Sequence, residues 1–389
     1  MAQLNITLNL EELTEAVMNS DMNSMMKSLA MAVFNAYMEV ERDHYINAKN
    51  YERTAERKDQ RNGYYERDLM LSVGKIPMKV PRTRSGQFRT QVFNSYQRMD
   101  KAFVLSMIEM VVTGVSTRKV TKIVEQLCGE QVSKSFVSDI MQELDPQIEA
   151  FKQRSLSHSK FRYLYVDAMY IKVREDKRVV SKAVYVAQGI NDINKREIVG
   201  FMVSGEESEA SWVQFFLDMR SRGLQTPKMI ISDAHAGLKS AIRETFVGSI
   251  WQRCTFHFLC NIVNVMPRKH SKEERGMVRE ILQAPTQQHA RELKKTFESH
   301  VQDNPKYDEA LNTLDNGFED AIQYMLEPET YHVSLRTTNS VERVNREMRR
   351  RDRVIGIYPN IASAERLMGS VLIDHHEKWE SVNRPFLKE

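Results

Sequence analysis

Apolar positions along the chain change period several times, and each change predicts a different kind of element. Between residues 10 and about 47, Leu13 and Val17, then Met22, Met25, Met26, Leu29, Val33, Phe34 and Tyr37, recur at helical spacing. Asn and Ser around 19–24 break the run, so two amphipathic helices are expected. Their methionines adapt to irregular apolar contacts and suit a packing or dimer surface. Leu69, Leu71 and Val73 then alternate, Gly74-Lys75 reads as a two-residue turn, and Ile76, Met78 and Val80 alternate again. That pattern predicts a β-hairpin, followed over 81–86 by a basic loop in which Pro81 and Gly86 oppose regular structure. From 101 to about 144 the period is helical again. Thr117 is placed to cap a helix bearing Val120, Ile123, Val124 and Leu127, and Gly129 to end it. Ser133 can cap a second helix bearing Phe136, Val137, Ile140 and Met141. Two short helices joined in this way have the shape of a helix-turn-helix, with Ser133, Lys134, Ser135, Ser138 and Asp139 as candidate groove-facing residues.

Three runs rich in β-branched and aromatic residues follow at 161–173, 183–190 and 197–203, separated by polar turns, and predict an antiparallel meander. A helix over 208–220, a short buried strand at 228–232, a helix at 236–246, a strand at 249–253 and another helix complete the order βββαβαβα. This is the order of an RNase H-like domain, a mixed sheet flanked by helices. After Met266 the strands stop: 271–283, 286–302 and 306–326 are helical by period, with Pro285 and Pro305 as punctuation. They read as an all-helical insertion. A helix from Asn339, another over 361–379, and a terminal tail of ten residues finish the chain. The expected fold class is thus α+β and multidomain. It comprises an N-terminal helical segment (1–60), a basic hairpin and loop (61–100), a helix-turn-helix (101–155), the first part of the catalytic domain (156–265), the insertion (266–335), and the last helices with the tail (336–389).

A chain of 389 residues exceeds what one core usually organises, and its 41% hydrophobic and 28% charged residues fit a soluble globular protein. No run approaches the length of a bilayer span, the start lacks a signal peptide's basic and apolar blocks, and three cysteines do not make a disulfide framework. A cytoplasmic protein without membrane association is therefore expected. The net charge of +4 hides an uneven distribution. Residues 1–50 carry three basic and seven acidic side chains, whereas residues 51–100 carry eleven and six. A second cluster, Arg343, Arg346, Arg349, Arg350, Arg351 and Arg353, faces only Glu347 and Asp352. Both basic segments could neutralise nucleic-acid phosphates, although a charge run is also compatible with a solvated face.

Asp167 interrupts an apolar strand, where an ionised group is costly unless compensated. Asp233 directly follows the 228–232 strand, at the rim where open sheets hold their sites. In an RNase H-like sheet these two strands are neighbours, and Glu342 on the final helical part can supply a third carboxylate. Such a hard-oxygen set suits Mg²⁺ or Mn²⁺, and two ions could activate an attacking oxygen and stabilise a leaving one. Each residue also has a structural alternative: Asp167 can pair with a buried cation, Asp233 can cap the next helix, and Asn339-x-x-Glu342 fits a capping box. Cys254-x-x-His257-x-x-Cys260 has a zinc-like spacing but no second pair to close a four-ligand site, so a role packed beside the carboxylates or donating a hydrogen bond is expected.

These residues resemble the Mutator family of bacterial insertion-sequence transposases, DDE recombinases with an RNase H-like catalytic domain. The resemblance runs from Arg61-Asn62-Gly63-Tyr64 and Val80-Pro81-Arg82-Thr83-Arg84 to the C-terminal helices. Its specific parts are Asp167 in the first strand, Ile231-Ser232-Asp233-Ala234-His235-Ala236-Gly237-Leu238, Gln252-Arg253-Cys254-Thr255-Phe256-His257, and Thr337-Thr338-Asn339-Ser340-Val341-Glu342-Arg343-Val344-Asn345. The resemblance implies that Asp167, Asp233 and Glu342 are metal ligands for two Mg²⁺ or Mn²⁺ ions, supported by Cys254, His257 and Asn339. Arg349 matches the basic position seven residues beyond the catalytic Glu, whereas Thr338 stands where the broader DDE pattern has Arg. On this reading the partners are the terminal inverted repeats and target DNA, both double-stranded. Arg82, Arg84, Lys134, Ser135, Ser138, Arg253, Arg346, Arg349 and Arg350 are the expected DNA contacts. A homodimer is the expected assembly, cytoplasmic and at the nucleoid when bound to DNA, and a copying route through a circular intermediate is implied. A structure-selective nuclease and a non-catalytic helix-turn-helix regulator are the alternatives.

Overall fold

A sheet interrupted by polar residues, Asp167 and Gln188 among them, needs helices that carry the polar partners, and the observed architecture supplies them. The computed structural model of the chain describes all residues except 1–21, 72–73, 94–100, 129–131, 269–270, 383 and 389. The expected helix around Leu13 and Val17, the strand end at Val73 and the helix stop at Gly129 lie outside the described residues. Two compact units are present, residues 1–142 and 143–389. Among the described residues no helix is long and apolar enough to cross a membrane.

In the first unit α1 (Met22–Ile46) lays Phe34 and Met38 on a two-stranded antiparallel sheet, β1 (Arg61–Leu71) and β2 (Gly74–Thr83). Leu69, Ile76, Met78, Val80 and Phe93 complete that small core. The hairpin register differs from the sequence reading. Leu71 pairs with Gly74 and Met70 with Lys75, so Gly74-Lys75 lies inside the ladder and is not the turn. The two registers differ by an even slip, which keeps every side chain on its face and cannot be told apart by alternation alone. The segment 81–86 is also more regular than expected: Pro81 pairs with Tyr64 and Thr83 with Arg61. A two-stranded sheet has an open edge on each strand, which tolerates proline. Three short helices follow, α2 (Lys101–Val112), α3 (Thr117–Cys128) and α4 (Lys134–Ile140). Val120, Val124, Val137 and Ile140 are buried, while Leu127 is exposed. Ser133 caps α4 by accepting from Phe136 N at 3.0 Å, but at α3 Ser116, not Thr117, accepts from Lys119 N.

The second unit opens with α5 (Asp145–Gln153), which packs against α14 (Ile361–Glu380) through an Arg366–Asp145 pair at 2.6 and 2.7 Å and contact between Ile148 and Gly369. The segment 101–155 is therefore divided, its last helix packing in the second unit. The expected order βββαβαβα is observed in β3 (Phe161–Glu175), β4 (Arg178–Asn191), β5 (Arg196–Ser204), α6 (Glu209–Ser221), β6 (Met229–Ser232), α7 (Ala236–Thr245), β7 (Ile250–Arg253) and α8 (Thr255–Val265). The sheet order is β5-β4-β3-β6-β7, with antiparallel β3–β4 and β4–β5 and parallel β3–β6 and β6–β7. One face buries Leu164, Val166, Ala183, Tyr185 and Ala187 beneath Trp212, Phe215 and Phe216 of α6. Tyr185 meets Trp212 edge-on, with centroids 4.7 Å apart, a geometry worth about 0.5–1.5 kcal/mol beyond its area. Helices α9 (Lys272–Ile281), α10 (Gln287–Val301), α11 (Asp308–Ala321) and α12 (Glu329–Leu335) form the helical segment, α12 being absent from the sequence reading. Helix α13 (Asn339–Ile355) then returns to the sheet. The last residues are docked and not a free tail: Asn194 Oδ1 accepts from Leu387 N at 2.8 Å, Asn194 O accepts from Phe386 N at 2.9 Å, and Leu387 is buried.

Candidate active site

Position along β3 decides what Asp167 meets. Tyr163, Tyr165 and Asp167 share the face opposite α6, and Tyr165 pairs in parallel with Ile231. Asp233, just past β6, is thereby level with Asp167 on the adjoining strand. Helix α13 brings the third carboxylate, held by three contacts. Ser340 Oγ bonds the buried amide of Gln188 on β4 (2.7 and 2.9 Å), Asn345 Nδ2 donates to Asp167 Oδ2 at 2.6 Å, and Thr338 N donates to Cys254 Sγ at 3.5 Å. Asp167, Asp233, Glu342, His257 and Asn345 line one cleft of about 660 Å³, together with Arg346, Glu347, Arg349, Arg350 and Arg353.

Asp167 accepts from Ala168 N at 2.9 Å and from Asn345, two neutral donors. Burial, and after it the charge of Asp233, raises its carboxyl to about 7, against the pull of these hydrogen bonds. Among the described residues no cation stands at ion-pair distance from it. Asp233 does not cap α7 either; His235 does, accepting from Leu238 N at 3.3 Å. His257 Nδ1 lies 2.6 Å from Asp233 Oδ1 and 3.9 Å from Glu342 Oε1. The Asp233 contact first, and Cys254 next, raise this imidazole to about 11, which favours its protonated form. Three carboxyl groups beside one imidazole offer oxygen donors that fit a hard divalent cation. Asn345 Oδ1, buried without a hydrogen-bond partner, is a further polar atom left open beside this set.

Cys254, His257 and Asp233 also offer three ligand atoms within 4.8 Å of one another, the group of this kind found among the described residues. Cys260 is not in it. The buried Cys254 thiol accepts from Thr338, so sulfur ties the start of α8 to the start of α13. Thr338 Oγ1 donates to Glu342 Oε1 at 2.6 Å, with Cys254 Sγ at 3.3 Å and Asp233 Oδ1 at 3.5 Å also within reach. A hydroxyl thus orients the glutamate from the position where the broader DDE pattern has Arg. The Asn339-x-x-Glu342 capping box is not formed: Thr338 is the N-cap, and Asn339 is exposed and does not line the cleft. Asn345 contacts Asp167 instead. It stood inside the quoted motif, three residues past Glu342 and so on the same helical face, which is the signal that could have found it.

The expected DNA-contacting residues divide. Arg346, Arg349, Arg350 and Arg353 line the cleft, their spacing marking one face of α13, while Arg351 is buried against Glu347. Arg253 lies over the Phe258 ring at 4.1 Å and close against Gly317, away from the cleft lining. In the first unit Arg82 donates to Tyr64 O at 3.2 Å and Arg84 to Gln60 Oε1 at 3.0 Å, and Lys134, Ser135 and Ser138 are exposed on α4.

The chain belongs to the Mutator family of transposases, whose family model, "Transposase, Mutator family", matches residues 1–382. It is 47% identical over 387 residues to the transposase for insertion sequence element IS256 in transposon Tn4001 of Staphylococcus aureus, covering 100% of this chain and 99% of that protein. The transposase for ISRM5 of Rhizobium meliloti is 37% identical over 360 residues, with 92% and 89% covered. That for IS1081 of Mycobacterium tuberculosis is 34% identical over 357 residues, with 91% and 85% covered.

Proposed function

We propose that this protein is the DNA transposase of an insertion sequence, binding the element's terminal inverted repeats and catalysing strand cleavage and strand transfer at an RNase H-like DDE site. The observation that carries the reading is the meeting of Asp167, Asp233 and Glu342 in a cleft whose wall continues as a row of arginines. Bound Mg²⁺ or Mn²⁺, in a pair, would supply an activated oxygen nucleophile and neutralise the leaving oxygen. Asp167 and Asp233 would share the ions and Glu342 would hold one of them. Asn345 orients Asp167, Thr338 orients Glu342, and His257 balances part of the carboxylate charge. Arg346, Arg349 and Arg350 take phosphates near the scissile step, where every substrate passes whatever its sequence. Repeat recognition belongs to the first unit, with Lys134, Ser135 and Ser138 on α4 facing a groove as the second helix of a helix-turn-helix.

Asp167→Ala, Asp233→Ala and Glu342→Gln should each abolish cleavage and transfer in Mg²⁺ while leaving repeat binding largely intact, because affinity comes mostly from cationic contacts. Band shifts and cleavage assays on repeat-end DNA measure both. Near-normal cleavage by any one variant removes that residue from the site.

A further inference from the structure

The strand that carries Asp167 does not stop at the cleft. β6 pairs only with residues 163–165 of β3, and β5 pairs with β4 no further toward its start than Ala183. Past those points β3 and β4 continue as a two-stranded ribbon, closed by the pair Glu175↔Arg178 around Asp176 and Lys177, with φ of +48° and +63°. Two successive positive φ values make the turn that matches ribbon twist. Asp167 and Glu175 are 175 − 167 = 8 residues apart, so the tip reaches about 26 Å beyond the carboxylate at ~3.3 Å per residue.

One face of the ribbon is fastened and the other is free. Ile171 and Val173 are buried, and the β3 edge bonds the segment after α13: Arg174 N donates to Tyr358 O and Tyr358 N to Lys172 O, both at 2.8 Å. Gly356, at φ +75°, makes the turn that brings Tyr358 there. Tyr170, Lys172 and Arg174 alternate with these residues and are exposed. Between 170 and 182 the ribbon carries five basic and two acidic side chains. Glu175 is already paired with Lys182 at 2.7 Å, whereas Arg174, Lys177 and Arg178 have no acidic partner at ion-pair distance among the described residues. Asn345 of α13 meets β3 at Asp167, and Tyr358, in the segment after α13, meets it at Val173. Between these two points α13 carries its cleft arginines, while alternation from Asp167 places Lys172 and Arg174 on the opposite face of the ribbon.

We propose that the β3–β4 ribbon is a second DNA-contacting surface, which holds the phosphates of a duplex leading away from the reacting step. The inference rests on the transposase reading and extends it outward. A reach of about 26 Å spans some seven or eight base pairs at ~3.4 Å each. A two-stranded ribbon is also a β-structure that the DNA major groove accommodates. Lys172, Arg174, Lys177 and Arg178 supply the countercharge, and the fastening at Tyr358 keeps the ribbon from moving independently of α13.

The test uses the full chain and a 30-bp duplex lacking the repeat, with binding measured across a salt series. The triple variant Arg174→Gln/Lys177→Gln/Arg178→Gln should lower the slope of log K against log salt by about 2–3, each lost phosphate contact contributing ~0.9. The charge-keeping variant Arg174→Lys/Lys177→Arg/Arg178→Lys should retain the parent slope. An unchanged slope in the glutamine variant overturns the proposal. So does an equal loss in both variants, which would trace the effect to ribbon shape. A parent protein that neither cleaves in Mg²⁺ nor binds duplex with salt dependence would sink the transposase reading instead, so the two failures are distinguishable.

Discussion

The two arginine-rich segments look alike in sequence and differ in what their charges meet. In the first unit most guanidinium groups are used by the chain itself. Arg61 donates to Asp43 at 2.6 Å, Ala48 O at 2.7 Å and Lys49 O at 3.0 Å; Arg57 donates to Asp59 O at 2.9 Å; Arg67 covers the Phe93 ring at 4.2 Å. On α13 four arginines face the cleft, and among the described residues only Arg350 of these has an acidic neighbour at ion-pair distance, Glu347 at 3.6 Å. A basic run therefore says little about partners until the internal acceptors are counted. In the hairpin region the carbonyls of the loop after α1 take up the charge. On α13, helical spacing turns one face of the run into the cleft.

The sharpest way to break this comparison is through pH, because the cleft holds a carboxyl whose protonation changes near neutrality. The Asp167 carboxyl, raised to about 7 by burial and by Asp233, must lose its proton to hold a cation. As pH falls through 7 the protonated form grows, so Mg²⁺ affinity should drop about tenfold per unit and be some 100-fold weaker at pH 5 than at pH 8. DNA binding by the first unit should not follow that curve. Titration calorimetry with Mg²⁺ across pH 5–8 measures it, and a flat profile would show that Asp167 does not control the cation. Next in size is Arg61→Ala, which leaves Asp43 and two carbonyls without their donor. It should cost about 2–3 kcal/mol of stability, read as a lower midpoint in urea. A change within 0.5 kcal/mol, the ordinary range for surface sites, would mean that this arginine is not used internally and would erase the contrast.

The fold was legible where periodicity and chemistry agreed. Strands β3 to β7 and their helices appear in the expected order because buried runs bounded by polar turns allow few alternatives, and Asp167 and Asp233 stood out as carboxylates in or beside apolar strands. The hairpin turn was not legible, since a slip that preserves faces leaves alternation unchanged. Nor was the docked C-terminus, which depends on Asn194 more than 190 residues away presenting both its backbone and its side chain. At the site, Thr338 was hidden for a similar reason: a hydroxyl carries no signature until the sheet and α13 bring an acceptor to it, whereas Asn345 could be read from its helical spacing to Glu342. Arg253 is the reverse case, a charged residue inside a motif whose side chain packs on Phe258.

The smallest effect expected is also the most direct reading of the contrast. Arg349 lines the cleft, is exposed, and has no ion-pair partner at bonding distance among the described residues, so removing it should leave the fold unchanged. Its Coulombic neighbour Asp352 is partly buried, with its carboxyl raised by that burial in spite of Arg349 and Lys172. Losing Arg349 therefore withdraws one cation from the cleft wall without opening a core. One phosphate contact corresponds to a decrease of ~0.9 in salt slope. Arg349→Ala should accordingly weaken binding to repeat and scrambled duplexes alike, by about tenfold or less at moderate salt, and lower cleavage on both in proportion. Band shifts at two salt concentrations, run beside a urea midpoint, separate the possibilities. If the variant lost affinity for the repeat only, Arg349 would be reading bases, and the division between a recognising first unit and a phosphate-holding α13 would have to be withdrawn.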